Sequence, residues 1–544
     1  MKDGESELPV FSNLALTRIH YWTSDWGSEW RPQTTLATVP LDIAVVAGRS
    51  SKGHHPFVIV EDGASAYFIA VAWSGNWRIR INQRDGRLVM AIETDDPQAQ
   101  IFTAYSATNG ITGAMKQLIS DFREIDLRGK PLLLIEWNSW WPYEDLDINE
   151  ETILANAKIA QALGFEVVVQ DAGWFGPVEA GSHWHDVRGD WDQRNSLRFP
   201  NGLAGLSEQV RNLGIDFGIW LEIEALGKSA LLSNQQPDFI ATRDGVPLGY
   251  VCLGNPTALT WARETALNLL HETRAAWIKI DFNVDPGSGC NRADHGHLPL
   301  EGLKTHIKNL YLLLDDLKDL HPDLIIENCS SGGLRWDLGM AQHVDLGFAS
   351  DLDWPEHSLA TFWAASHFFP VEKLLNWVDS QWRTEQTHQK FKAEESPDSE
   401  LEFALAISLL GGFGMSAKLP EFSTSKRDLV ARYISIYKSS FRPRYQDNAI
   451  VRHLTPQPQR DELGCRTVAF AVETDSFDPM MLIYQLSGQG RESAVSYSDL
   501  AADKKYTVRN LISGEVLIAE HSGTYVFNNH LPDNHSIILS FESH

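Results

Sequence analysis

This sequence predicts an α/β chain built on a (β/α)8 TIM barrel, with a β-sandwich domain on each side. Three observations carry that expectation. From Pro131 onward, apolar strand-like runs alternate with helical segments, about eight units over roughly 310 residues, as a closed parallel barrel requires. Polar residues end most of those runs, and no Gly-rich phosphate turn follows any of them, which disfavours an open doubly wound sheet. Short β-branched and aromatic runs separated by Gly and Asn fill both flanks. The expected boundaries are 1–128, 129–445 and 446–544.

The first flank reads as strands at Phe57–Val60, Ser65–Trp73 and Trp77–Ile81. A helix over Thr112–Asp126 then leads into the linker Arg128–Pro131. The barrel opens with the strand Leu132–Asn138. Asp147–Glu150 can form a capping box for a helix that carries Ile153, Ala157 and Ala160 on one side and stops at Gly164. A strand at Phe165–Asp171 and a helix near Leu203–Leu213 follow. Further strands are expected at Ile215–Glu222, Tyr250–Leu253, Trp277–Asn283, Leu324–Cys329 and His343–Asp351. Strands this apolar imply a parallel sheet covered on both faces. The second flank returns to short strands at Thr467–Val472, Met481–Tyr484 and Ser536–Phe541. Ala393–Glu400 reads as a solvated loop.

Composition narrows the function. A net charge of −26 argues against nucleic acid or an anionic membrane as partner, and 43% hydrophobic residues with no run of eighteen argue against a membrane span. The polar N-terminus shows no signal peptide, and four widely spaced cysteines give neither a disulfide framework nor a zinc pattern. A cytoplasmic protein without a metal or other cofactor is expected. Nineteen tryptophans, several beside polar strand ends, fit aromatic walls for a sugar ring and fit an aromatic-rich core equally well.

The densest chemistry lies in Trp277–Asn283. Alternation along a strand puts Lys279, Asp281 and Asn283 on one face. A buried strand ending in three polar groups must pair them or use them. The lysine gives the aspartate a counter-charge, as a carboxylate nucleophile needs. In a parallel barrel this strand end converges with Trp137, Asn138, Asp171, Trp174, Trp220, Glu222, Glu224, Cys329, Ser330, Ser331, Ser350, Asp351 and Asp353. A mouth rich in carboxylates and tryptophans suits glycoside hydrolysis, in which one carboxylate attacks the anomeric carbon and another handles the proton.

Several motifs occur in order: Trp137-Asn138-Ser139-Trp140, Asp171-Ala172-Gly173-Trp174, Gly189-Asp190-Trp191, Phe199-Pro200-Asn201-Gly202, Trp220-Leu221-Glu222-Ile223-Glu224, Lys279-Ile280-Asp281-Phe282-Asn283, Cys329-Ser330-Ser331-Gly332-Gly333-Leu334-Arg335 and Ser350-Asp351. Together they resemble glycoside hydrolase family 36, the retaining α-galactosidase (melibiase-like) family of clan D, over about residues 132–445. The resemblance implies Asp281 as nucleophile and Asp351 as acid/base, with Asp353 as rival. It implies a sugar pocket lined by Asp171, Trp174, Trp220, Lys279, Asn283, Cys329, Gly332 and Trp137. Arg335 is expected to hold a loop by ion pairing, and Glu222 and Glu224 to be structural groups of the barrel mouth. The family's barrels also associate through their β-domains, so a homo-oligomer is one expectation.

Two departures bear on the sugar. The family's second clamping aspartate is Ala172 here, and Leu248 stands where it has an arginine. His183, His185, Asp186 or Arg188 could compensate. The sequence therefore implies a retaining exo-α-glycosidase, first of all an α-galactosidase. The alternatives are an α-glycosidase for another sugar (an α-glucoside or α-N-acetylgalactosaminide), a transglycosylase, and a non-catalytic sugar-binding scaffold.

Overall fold

A computed structural model of the chain describes residues 5–126, 129, 132–177, 181, 183–351, 354–380, 391–459, 464–488 and 494–544. Eight parallel strands hydrogen-bond in chain order into a closed barrel: Glu136–Asn138 (β1), Val167–Gln170 (β2), Asp216–Leu221 (β3), Trp277–Ile280 (β4), Ile325–Asn328 (β5), Leu346–Phe348 (β6), Leu374–Asp379 (β7) and Gly412–Ser416 (β8). The register runs through Trp220, Lys279, Glu327 and Leu346 on one rung. Lys279 and Glu327 thus sit level with the tryptophan that precedes Glu222.

By compactness the chain divides into two units, Met1–Gly129 with Glu136–Asp351, and Lys130–Ile135 with Leu352–His544. The first begins with a β-sandwich of a four-stranded and a five-stranded sheet. The strand Leu41–Val45 shows how it forms: Leu41, Ile43 and Val45 are buried while Asp42 is exposed. Ile19, Val58, Ile69, Val71, Trp77 and Ile79 complete that core. The helix Gly110–Ile125 follows and buries Ala114, Met115, Leu118, Ile119 and Phe122. The second unit contains a six-stranded and a two-stranded sheet packed round Ala471, Met481, Ile483, Val508, Leu539 and Phe541.

Two local expectations need correction. The helix Glu150–Leu163 is capped by Asn149, whose side chain accepts from Thr152 N at 2.9 Å, and not by a box from Asp147. The run Tyr250–Leu253 is not a barrel strand. Val246–Val251 pairs antiparallel with Ile240–Arg243 in a hairpin inserted after β3. Its tip is Asp244-Gly245, both left-handed at φ 52° and 82°, the backbone that a two-residue hairpin loop needs. Among the described residues no helix is long and apolar enough to cross a membrane.

Candidate active site

Asp281 lies one residue beyond β4, where the chain leaves the barrel. Its two oxygens accept four hydrogen bonds. Phe282 N (2.7 Å) and Ser331 N (3.3 Å) donate to Oδ1; Asn283 Nδ2 (2.8 Å) and Trp220 Nε1 (3.3 Å) donate to Oδ2. Two of the donor residues, Asn283 and Ser331, are fixed in turn. Asn283 donates its backbone N–H and its amide to Glu222 at 2.6 and 3.2 Å, and Ser331 Oγ donates to Asn283 Oδ1 at 2.6 Å. Arg188 Nη1 donates to the fully buried Glu222 at 2.7 Å. Burial pushes the Glu222 carboxyl up, and the charge of Arg188 pulls against that.

Lys279 donates to Asp171 Oδ2 at 3.0 Å. Burial opposes its charge, but Asp171, Cys329, Glu327 and Asp281 outweigh that and hold the ammonium well above its ordinary range. The lysine expected to pair with Asp281 therefore has its hydrogen-bonded carboxylate across the barrel on the strand-end of β2. Asp171 also accepts from Asn138 Nδ2 at 3.0 Å and from Ala172 N at 2.8 Å.

Asp351 approaches from the end of β6. The turn Cys329–Gly333 links it to Asp281. Cys329 Sγ lies 3.9 Å from Asp351 Oδ1, while Ser331 N bonds Asp281. This contact depends on backbone shape. Ser331 and Gly332 are both left-handed, at φ 45° and 70°. A Cβ on Gly332 would stand 2.4 Å from Asp351 N, and one on Gly333 2.1 Å from Ala349 O. The Ser-Gly-Gly sequence is thus what lets the turn touch the strand end. Gly332→Ala should lower the unfolding free energy by about 1–3 kcal/mol, read by chemical denaturation. An unchanged midpoint would show that the strand end yields freely.

The Asp351 carboxyl is raised to about 6. Desolvation is the main cause and the charge of Asp281 adds to it. Lys279 and a hydrogen bond from Trp26 work against it. Trp26 Nε1 donates to Asp351 Oδ2 at 2.8 Å, and Ser350 Oγ donates to Glu29 at 2.9 Å. Trp26 and Glu29 come from the N-terminal sandwich, as does Arg49. The Arg49 guanidinium donates to Phe282 O (3.1 Å), Ser331 Oγ (3.1 Å) and Asp285 Oδ1 (2.8 Å), tying the chain after Asp281 to the turn beneath Asp351. No motif or spacing in the chain points to these three residues.

The structure brings Asp171, Trp220, Lys279, Asp281, Asn283, Cys329, Gly332 and Asp351 together. Trp174 and Trp137 stand further back. Both are fully buried; Trp174 Nε1 donates to Trp220 O at 3.0 Å, and Trp137 packs on Tyr143. Trp184, which sequence reasoning passed over, is half-buried with its ring 5.8 Å from Trp220 and 5.4 Å from Trp140. Asp353 lies outside the described residues. Of the groups that could compensate for Ala172 and Leu248, Arg188 is engaged by Glu222 and lies 3.0 Å from His185 Nε2. The backbone of His183 donates to Asp145 at 2.9 Å. Leu248 packs against the apolar cluster of Tyr250, Phe282 and Cys290. Arg335 does form an ion pair, bidentate to buried Glu224 at 2.7 and 2.8 Å, and His306 Nε2 adds a third contact at 2.8 Å. Burial alone would raise Glu224; Arg335 and His306 reverse that and bring it to about 2.

The fold also gathers ligand types that lie far apart in the sequence. The chain does hold a His/Cys cluster: Cys252, Cys290, His295 and His297 are all buried, with ligand atoms within 4.8 Å of one another. Thirty-seven residues separate the two cysteines, so sequence spacing concealed it. The hairpin closes that gap.

A family model described as Melibiase matches residues 95–443. The chain is 25% identical over 452 residues to the α-galactosidase AgaA of Geobacillus stearothermophilus, an alignment that takes in 76% of this chain and 59% of the relative. It is 25% identical over 530 residues to an α-galactosidase of Escherichia coli, with 92% and 71% covered. The chain thus spans about three fifths of the length of the Geobacillus relative. The crystal structure of that AgaA, described as a GH36 α-galactosidase, matches with a TM-score of 0.84 at 20% identity, over 99% of this chain and 76% of that one. AgaA variants have also been crystallised with stachyose and with raffinose.

Proposed function

The chain belongs to the Melibiase family, and from that premise we propose that it is a retaining, exo-acting α-glycosidase, first of all an α-galactosidase. The observation that carries this reading is the pair Asp281 and Asp351 meeting on one turn, one ringed by hydrogen-bond donors and the other raised by burial. Asp281 accepts hydrogen bonds from four donors, which hold its carboxyl group in one orientation. Asp351, raised to about 6, retains a proton into mildly acidic solution.

In the first step Asp281 attacks the anomeric carbon, the glycosidic bond breaks, and Asp351 gives its proton to the departing oxygen. A β-linked glycosyl-enzyme results. Asp351, now ionised, takes a proton from water as the water oxygen attacks the same carbon, which frees Asp281 and releases the sugar in its α form. Retention requires the two carboxyl groups to stand about 5–5.5 Å apart. In this reading Lys279 and Asp171 bind sugar hydroxyls beside Asp281, and the half-buried Trp184 and Trp140 take the C–H side of a sugar. The raffinose and stachyose complexes of AgaA support terminal α-galactosides as the substrate class. Four free cysteines agree with a cytoplasmic location.

A second sugar stays in contention on one observation: Ala172 offers no side-chain acceptor where the resemblance calls for a second aspartate. A hydroxyl left unpaired there would cost about 1–3 kcal/mol. Turnover of the nitrophenyl α-galactoside, α-glucoside and α-N-acetylgalactosaminide separates the readings, with the galactoside expected to lead by roughly tenfold or more in kcat/KM. NMR of the first product should show the α-anomer. A β-anomer appearing first would overturn retention. Sugar binding without any release would support the scaffold reading instead.

A further inference from the structure

We propose that Cys252, Cys290, His295 and His297 form a structural Zn²⁺ site that fastens the 240–251 hairpin to the chain leaving Asp281. The donor set is two thiols and two imidazoles, the composition of closed tetrahedral zinc sites. Around zinc, with Zn–S about 2.3 Å and Zn–N about 2.0–2.1 Å, neighbouring ligand atoms stand about 3.3–3.8 Å apart. Cys252 Sγ lies 3.4 Å from His297 Nε2, and Cys290 Sγ lies 3.5 Å from His295 Nδ1. The four ligand atoms converge within 4.8 Å. The two imidazole rings meet nearly at right angles, at 88°, as two edges of one tetrahedron can.

The surroundings fit the same role. His297 Nδ1 lies 2.9 Å from Leu298 O. A carbonyl only accepts, so Nδ1 carries the proton and Nε2 presents its lone pair toward Cys252, as second-shell partners of zinc histidines do. Backbone N–H groups of Gly254 and Asn255 face the Cys252 sulfur, and that of Arg292 faces Cys290. These are donors suited to thiolates. Gly296 is left-handed at φ 75°, which lets His295 and His297, on either side of it, turn toward the same point in a tight loop. Two thiolates and two neutral imidazoles also neutralise a divalent ion, so it can occupy a buried place without a further counter-charge. Both cysteines are free.

The site's position gives it a task. Cys252 comes directly after the hairpin, and Cys290 follows Asp281 by nine residues. Phe282, next to Asp281, packs in one apolar cluster with Tyr250, Cys252 and Cys290, and Tyr250 accepts from Cys290 N at 3.1 Å. Metal there would pin the loop from which Asn283 reaches Asp281.

Metal analysis of the full chain purified from zinc-supplied cells should find one zinc per chain. Co²⁺ exchanged into the protein should give thiolate-to-cobalt absorption and the strong visible bands of a tetrahedral site. Cys290→Ser and His297→Ala should each lose both signatures. Because either variant could misfold, the intact protein provides a second reading: a thiol reagent should release zinc in step with modification of Cys252 and Cys290, located by peptide mass. Three results would overturn the proposal: no stoichiometric metal after refolding with Zn²⁺, a Cys252–Cys290 disulfide in the native protein, or zinc retained by both variants.

Discussion

Asp281→Gly should abolish turnover, with kcat down by at least about 10⁴-fold, while the chain stays folded. The size of the loss follows from the proposed step. The carboxylate supplies the electron pair that forms the glycosyl-enzyme, and no neighbouring group can take its place. Asp171 is already engaged by Lys279, Asn138 and Ala172 N. Glu222 is engaged by Arg188 and Asn283. Folding should survive because Lys279 keeps its bond to Asp171 when Asp281 is gone. The variant would leave four donors, Phe282 N, Ser331 N, Trp220 Nε1 and Asn283 Nδ2, facing a carboxylate-sized space. A small anion should bind there. Azide added with an activated substrate should therefore restore part of the rate and give a β-glycosyl azide, because it attacks from the side Asp281 occupied. A folded Asp281→Gly variant within tenfold of the parent rate would end the assignment.

The same residues show what a single sequence discloses. The β/α alternation was readable because buried parallel strands are apolar on both faces, and β1 to β6 fall within or on the runs that pattern marked out. The strand expected at Tyr250–Leu253 failed because hairpin and barrel strands share the same β-branched and aromatic character. Asp244-Gly245, a strong two-residue turn signal, is the cue in the sequence that distinguishes them. The central polar groups were legible as well, since Lys279, Asp281 and Asn283 stand two residues apart at the end of one apolar run, although the strand itself stops at Ile280. Trp26 and Arg49 were not. Trp26 meets Asp351 across 325 residues of chain, and neither its neighbours nor its spacing carries any trace of that contact. The Cys252–His297 cluster escaped for a related reason. Its ligands come from two loops, and only folding of the hairpin brings Cys252 to the other three.

Asp351 should set the basic limb of the pH profile, and the sign can be worked out. Desolvation first, and then the charge of Asp281, raise its carboxyl to about 6. As a general acid it is competent only when protonated, so kcat/KM should fall about tenfold per pH unit above that value. Under the proposed mechanism the same arrangement lets one group serve twice. Once Asp281 is esterified its charge is gone, and with it the larger of the two charges, Asp281 and Asp171, that help burial raise Asp351. The carboxyl then holds its proton less firmly and can act as base toward water. Asp351→Asn should remove the basic limb and cost roughly 10²–10⁴-fold on a natural α-galactoside, whose alkoxide leaves poorly without a proton. On a nitrophenyl glycoside the first step needs little help, so the same variant should show a burst of nitrophenolate followed by slow release of the sugar. Trp26→Phe tests the environment separately. It deletes the donor at 2.8 Å that favours the ionised carboxylate, so the basic limb should move to higher pH with the maximal rate largely kept. A basic limb that persists in Asp351→Asn would transfer the acid role to another group, with Asp353 the first to try.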